Sequence, residues 1–415
     1  MTVVKECDRS QHYKSDGEDE EKIVLREKRE QKRSVRSKMS TFIRKYFFEG
    51  QRLANEKQAE IYVNNPDDSF FEVFIRKHRK LLGFAIPMSF FYIVWWSIAI
   101  RYNLLPLFPE RYEMSITMMF GGLIAGMTCE GGGAVAFPVM TLALQIDPII
   151  ARDFSLMIQS CGMTAAAFTI LFMRIAIEWR SIVFGSVGAI FGVTFGLEFV
   201  DPHLTADQKK MGFVSIWFAF ALALFLLNTQ KKRTTFEKIV DFNWWKAVVL
   251  TMTGFVGGIV TSFSGSGVDI CSFSMLTLLF RISEKVATPT SVVLMACNTV
   301  VGFYWRQIIM TDVSVLAWEY WTVCIPVVVI MAPFGSVLAS HFHRLVLATF
   351  IYVLEIIALI SGFLVVKPDW TLTAISFGII LGGFAFFYAL TRIGSSDPVY
   401  DDAEEEGDNS LELKV

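Results

Sequence analysis

Gly121-Gly122-Leu123-Ile124-Ala125-Gly126-Met127-Thr128-Cys129-Glu130-Gly131-Gly132-Gly133 decides the fold, because the stretch occurs twice. Its second copy lies 136 positions downstream and reads Gly257-Gly258-Ile259-Val260-Thr261-Ser262-Phe263-Ser264-Gly265-Ser266-Gly267-Val268-Asp269. The register continues without a gap to Cys161 and Cys297, giving ten identities in 41 pairs, among them Gly131/Gly267, Phe137/Phe273, Thr141/Thr277 and Ser155/Ser291. Both copies are apolar sequences that break at a glycine-rich polar patch. Interrupted hydrophobic segments in corresponding halves point to the binding site of a membrane transporter.

Composition agrees. The chain is 53% hydrophobic and 14% aromatic, with a mean hydropathy of +0.46. Its charge is segregated: 19 of the 38 Lys and Arg fall in the first 80 residues, and the last 19 residues carry eight carboxylates and one lysine. The basic residues sit on a polar tail ahead of apolar spans rather than on a folded face, which excludes nucleic-acid binding. The first apolar run starts near Leu81, too far in for a cleaved leader. Five of the six cysteines (Cys129, Cys161, Cys271, Cys297, Cys324) lie in or beside apolar spans, as buried thiols rather than an extracellular disulfide framework.

A helix crosses a hydrocarbon core of about 30 Å with about 20 apolar residues. Eight stretches meet that test: 81–100, 153–174, 181–200, 211–228, 286–305, 318–340, 345–366 and 370–390. Residues 114–146 and 246–280 are apolar but break at Thr128 to Gly133 and at Ser262 to Asp269, and each arm of the first is short for a crossing. The expectation is an all-α polytopic membrane protein of about eight spans plus two re-entrant glycine-rich hairpins. An odd number of crossings separates the copies, so the repeat is of inverted topology. The chain then divides into a basic tail at 1–80, membrane halves at 81–228 and 247–390 joined by a linker at 229–246, and an acidic tail at 391–415.

Loop charge sets the orientation. With the N-terminus inside, fifteen Lys and Arg flank the cytoplasmic side and seven the opposite side: Arg101, Arg111, Arg152, Lys209, Lys210, Arg306 and Lys367. Both termini are therefore expected in the cytoplasm. The basic run Arg76-Lys77-His78-Arg79-Lys80 serves either as a topology signal or as a contact for anionic lipid.

Broken backbone at membrane depth must be buried in protein or line a wet cavity. Gly131, Gly132 and Gly133, and Gly265, Ser266 and Gly267, each precede a short helix whose first amides form a partial positive site. Thr128, Ser262, Ser264 and Ser266 add hydroxyls. Two such loops meeting near the midplane would enclose a small anion, whereas Gly185, Gly188, Gly192 and Gly196 read as helix-packing glycines. Three intramembrane carboxylates, Glu130, Asp269 and Glu355, are candidates for coupling to protons or another ion, or else pair with a nearby arginine or cap a half-helix. Arg152 and Arg174 lie at span ends and are expected at the interface. Gln159, Asn298 and Thr299 suit either a pathway or interhelical hydrogen bonds. His341 and His343 form a lone H-x-H. No metal-ligand cluster, phosphate-binding loop or nucleophile–base pair is present in the sequence, so neither a cofactor nor an enzyme is expected.

Gly122-x3-Gly126-x3-Glu130-Gly-Gly-Gly-Ala-Val-Ala-Phe-Pro138 resembles the first glycine-rich motif of the TauE/SafE sulfite-exporter family, the toluene sulfonate uptake permeases. Ala287-Thr-Pro-Thr-Ser291 resembles the stretch after the second motif. The likeness covers roughly 114–390. It implies a multi-pass transporter of small sulfur-containing or organic anions, such as sulfite and sulfonates, with ion coupling. Where the family often has a second run of glycines, this chain has Gly265-Ser266-Gly267-Val268-Asp269. The rival class is a non-transporting membrane scaffold or receptor that works through its tails.

Overall fold

The computed structural model describes residues 70–229, 235–339 and 344–395. The N-terminal tail up to 69, positions 230–234 of the linker, His341, His343 and the acidic tail from 396 lie outside the described residues. Within them the chain is helical. A short α1 (Phe70–Lys77) leads into α2 (Arg79–Tyr102). The first repeat follows: α3 (Phe108–Met127), α4 (Gly133–Pro138), α5 (Pro148–Phe172), α6 (Trp179–Phe195) and α7 (Ala206–Thr229). The second repeat is α8 (Trp244–Ser264), α9 (Val268–Ser274), α10 (Glu284–Tyr304), α11 (Val315–Ala339) and α12 (Arg344–Val366). α13 (Trp370–Ser395) is an addition outside the duplication.

The duplication extends to backbone detail. α4 runs on into a π-helical turn at Val139–Ala143, and α9 into one at Met275–Leu279. Each chain then turns through a left-handed residue, Gln145 (φ 56°) or Arg281 (φ 52°). Thr141 and Thr277 each donate a hydroxyl to the carbonyl four residues back, at 2.7 Å in both copies.

Eight described helices are long and apolar enough to cross a membrane. Seven carry expected spans, the expected 211–228 span lies in α7, and the eighth is α8. Among the described residues α3 is not one of the eight, as the short-arm expectation for 114–146 has it, and the second arms, Gly133–Ala143 and Val268–Leu279, are shorter still; α8 is the first arm that is long enough. The first arm of the second repeat, α8, is a helix of 21 residues, about 30 Å at 1.5 Å per residue, whereas α3 leaves helical geometry at Arg111 (φ −127°, ψ 17°) and is continuous only beyond it. Counting apolar positions missed the start of α3, where Pro109 opens the helix and the polar Glu110, Arg111 and Glu113 follow. The second hairpin closes on itself. Trp245 at the start of α8 lies 6.2 Å, ring to ring, from Phe280 at the end of the short arm. Next to it, the Phe236 and Ser283 amides exchange hydrogen bonds of 2.9 Å with Arg281 and Phe236 carbonyls.

The repeats are interleaved. The first arm of each packs along the fourth helix of the other, α3 on α11 and α8 on α6. Glycine makes both crossings close enough for backbone contact. A Cβ at Gly188 would lie 1.8 Å from the Thr251 carbonyl oxygen, and one at Gly126 would lie 2.0 Å from that of Ala332. Gly185 and Gly192 belong to the same crossing, as the packing reading expects, and Gly196 is pressed against Ser262. α2 docks on α11 where Pro326 cannot donate to the Thr322 carbonyl, and the Trp95 indole N–H takes that carbonyl at 2.9 Å.

Polarity is arranged for lipid. Phe90, Ile93, Ile100, Phe191, Trp370 and Leu381 are exposed, whereas Glu130, Arg152, Asp153, Asp269 and Glu355 are buried. Intramembrane charge is tolerated when it faces the bundle interior, and here it does.

Candidate functional site

Both first arms stop at the polar patch. α3 ends at Met127 and is closed by Thr128, whose hydroxyl donates to the Ile124 carbonyl at 2.9 Å and accepts from the Glu130 amide at 3.3 Å. α8 ends at Gly265 in the left-handed region (φ 80°), which glycine allows without a steric cost. The Ser264 hydroxyl closes that turn, donating to the Ser266 carbonyl at 2.5 Å and the Val260 carbonyl at 2.7 Å. Ser264 is therefore occupied structurally. Ser262 also bonds its own helix, to the Ile259 carbonyl at 2.7 Å, and its hydroxyl faces Gly196 rather than the opposite loop.

The two loops touch. The Ser266 hydroxyl lies 3.2 Å from the Glu130 carbonyl oxygen and 3.0 Å from Asp269 Oδ2. Gln159 of α5 joins them: its Nε2 donates to the Gly265 carbonyl at 2.7 Å and to the Ser155 carbonyl at 3.1 Å. Gly131 (φ 67°) sits in the middle. A Cβ there would lie 2.5 Å from Asp269 Oδ2, 2.5 Å from Gln159 Oε1 and 3.0 Å from Ser266 Oγ. Of the residues expected to bind substrate, Gly131, Gly133, Ser266 and Gly265 come together at this crossing with Asp269, and Thr128, Gly132 and Gly267 flank it. Gln159, undecided from sequence, is central.

The loops are unlike in their hydrogen bonding. In the second, the amides of Gly267 and Ile270 donate to Asp269 Oδ1 at 2.9 and 3.0 Å, and that of Val268 to the Thr261 hydroxyl at 3.2 Å. The carboxylate thus does at α9 what an external anion does at a helix start. In the first loop, the amides of Gly131, Gly132 and Gly133 donate to no other described residue. Beside them Glu130 is fully buried, with neither carboxyl oxygen accepting a hydrogen bond. The side chain facing it is Glu355 of α12, also buried, with Oε2 unpartnered. Two carboxyls meet here.

The ionic group one turn away corrects an expectation. Arg152 is not interfacial: it is 1% exposed and ion-paired. It contacts Asp153 at 2.8 Å, Asp201, and the Ser262 carbonyl of the other repeat at 3.4 Å. Lys209 reaches Asp201 at 2.7 Å, and Arg306 grips Asp153 with two bonds of 2.9 and 2.8 Å. Arg152, Asp153, Asp201, Lys209 and Arg306 are all buried. The signal in the sequence was the Arg152-Asp153 pair inside an apolar helix, where charge is expensive without partners. Arg174 is exposed, as expected of a span end.

Cys129 and Cys324 are buried free thiols, Cys161 and Cys271 are partly buried, and Cys297 is exposed on the outer face, which corrects its expected burial. Thr299 bonds its own helix, and both amide atoms of Asn298 are unpartnered. Among the described residues no group of three His, Cys, Asp or Glu is placed to hold a metal ion.

This arrangement is a duplicated bundle whose broken helices meet at buried polar loops, and it is matched by one family model, Sulfite exporter TauE/SafE, over residues 114–362. That range begins in α3 and ends in α12, enclosing both glycine loops, Gln159, the ionic group and Glu355. Comparison with curated proteins and with solved structures returned no match. The chain belongs to the TauE/SafE sulfite-exporter family of multi-pass membrane transporters.

Proposed function

We propose that the protein is a secondary transporter of a small sulfur-containing or organic anion, of sulfite or sulfonate type, working by alternating access around the meeting point of the two loops. The observation that carries this reading is the contact of Ser266 with Glu130, residues at the same position of the two repeats. A position that touches its own counterpart lies on the axis relating the copies, where inverted-repeat transporters bind their cargo. The anion is taken by the free amides of Gly131, Gly132 and Gly133 at the start of α4, with Ser266 as a hydroxyl donor. Asp269 holds the second loop in shape by occupying its amides.

Glu130 and Glu355 supply the coupling. Facing carboxyls in a buried site cannot both be charged without a large desolvation cost, so a proton bridges them. A second proton neutralises the pair and admits the anion; its release restores the negative charge beside the anion site and expels the anion, which links proton movement to cargo movement.

Both termini lie in the cytoplasm on this reading. Of the seven cations counted for the opposite side, Arg152, Lys209 and Arg306 are buried in ion pairs and say nothing of loop charge. Four remain, against thirteen of the original fifteen once the buried Lys246 and Arg281 are also set aside.

The test is uptake of labelled sulfite, sulfate and a small sulfonate into proteoliposomes, with and without a pH gradient. Ser266→Ala, which adds no bulk, should lower flux about tenfold, the effect of one hydrogen bond to a charged group. Gly131→Ala should abolish flux. Folded protein that carries none of these anions, or Ser266→Ala at full rate, sinks the site and favours the scaffold class.

A further inference from the structure

The crossing of the loops contains more acceptors than the anion reading uses. Gln159 Oε1 is buried and accepts no hydrogen bond. Its orientation is fixed, because exchanging the amide's oxygen and nitrogen would turn an oxygen onto the carbonyls of Ser155 and Gly265 that Nε2 now serves. Oε1 therefore points to the same spot beside Gly131 as Asp269 Oδ2, each 2.5 Å from where a Cβ would stand, with Ser266 Oγ at 3.0 Å. Ser266 has a single proton to give. When it goes to the Glu130 carbonyl at 3.2 Å, the hydroxyl presents a lone pair to the group.

We infer that Asp269 Oδ2, Gln159 Oε1 and Ser266 Oγ form a binding site for a dehydrated monovalent cation of sodium's kind. The ligands are hard oxygens from both repeats: a carboxylate and a hydroxyl from the second loop, an amide oxygen from α5. Hard cations take such oxygens, and one carboxylate balances one positive charge, too few for a dedicated divalent cage. Unwound segments of broken membrane helices are where transporters bind coupling ions. The inference rests on the two loops being the transport site and adds an ion to it. A cation here would tie α5 to the second loop and offset the Asp269 charge beside an incoming anion, so that the two bind together. It is separate from the Glu130–Glu355 pair, which takes a proton.

The experiment is binding of radiolabelled sodium to the purified full-length protein in detergent, with unlabelled sodium, potassium and choline as competitors. Saturable binding displaced by sodium and not by choline is expected. Gln159→Leu should weaken it at least about tenfold, in the range seen when metal-site partners are lost. Absence of saturable binding to folded wild-type protein overturns the inference, as does binding that Gln159→Leu and Asp269→Asn leave unchanged. Anion flux driven by a pH gradient and indifferent to sodium also overturns it while leaving the transport site standing. Sodium binding by a protein whose flux ignores Ser266→Ala would separate the two the other way.

Discussion

Arg306 holds Asp153 through two parallel hydrogen bonds of 2.9 and 2.8 Å, and the pair joins the second repeat to the first. The repeat offset sets Asp153 opposite Pro289 and Arg306 opposite Ile170, and Arg152 opposite Thr288. One face of the duplicated bundle is therefore tied by buried ion pairs, and its inverted counterpart has none at the equivalent positions.

Breaking this tie is expected to cost much of the stability. Removing one partner of a buried ion pair leaves an uncompensated charge, at about 3–5 kcal/mol. Asp153→Asn strips both Arg152 and Arg306 of their shared carboxylate and should lower the unfolding midpoint in detergent sharply. Arg174→Ala, at an exposed position, should leave it within about 0.5 kcal/mol. Equal midpoints for the two variants would show that the ionic group carries no structural weight.

The interleaved crossings predict a sharp split among glycines. Gly126→Ala and Gly188→Ala drive a methyl into a backbone carbonyl of the partner helix, at 2.0 and 1.8 Å, and should prevent folded protein from accumulating. Gly378→Ala and Gly382→Ala, where nothing lies within 4 Å, should be neutral or stabilising by up to about 1 kcal/mol through helix propensity. Yield of monodisperse protein after purification reads out both outcomes.

The facing carboxyls predict non-additive effects on coupling. Glu130→Gln and Glu355→Gln should each remove the dependence of anion flux on a pH gradient, because either one takes away the shared proton. The double variant should be no more impaired than the singles, as expected of groups acting as one unit. Independent, multiplying losses would mean that the two carboxyls serve different steps. A full gradient response in either single variant would place coupling elsewhere.

The broken helices announced themselves in sequence because glycine and hydroxyl runs are conspicuous in an apolar chain. The start of α3 did not, since Pro109, Glu110 and the kinked Arg111 make a polar first turn that needs no apolar residue; Arg111 pairs with Glu319 instead. Gln159 could be read as lining or as packing, because the direction of one amide depends on carbonyls contributed by a loop 106 residues away. Arg152 looked interfacial for a similar reason: its partner Asp201 is 49 residues downstream, and its link to the other repeat is the Ser262 carbonyl.

By itself the sequence determined the class, the duplication, the position of both helix breaks and the three intramembrane carboxylates. Hydrocarbon imposes these locally: it demands long apolar helices and makes each polar interruption stand out. Only the tertiary structure decided which loop keeps its amides free, that Glu130 faces Glu355, that the equivalent positions Glu130 and Ser266 touch, and that Arg306 of the second repeat pairs with Asp153 of the first. Those relations join residues far apart in the chain. They arise from the close packing of α3 on α11 and α8 on α6, which depends on where glycines let two backbones meet.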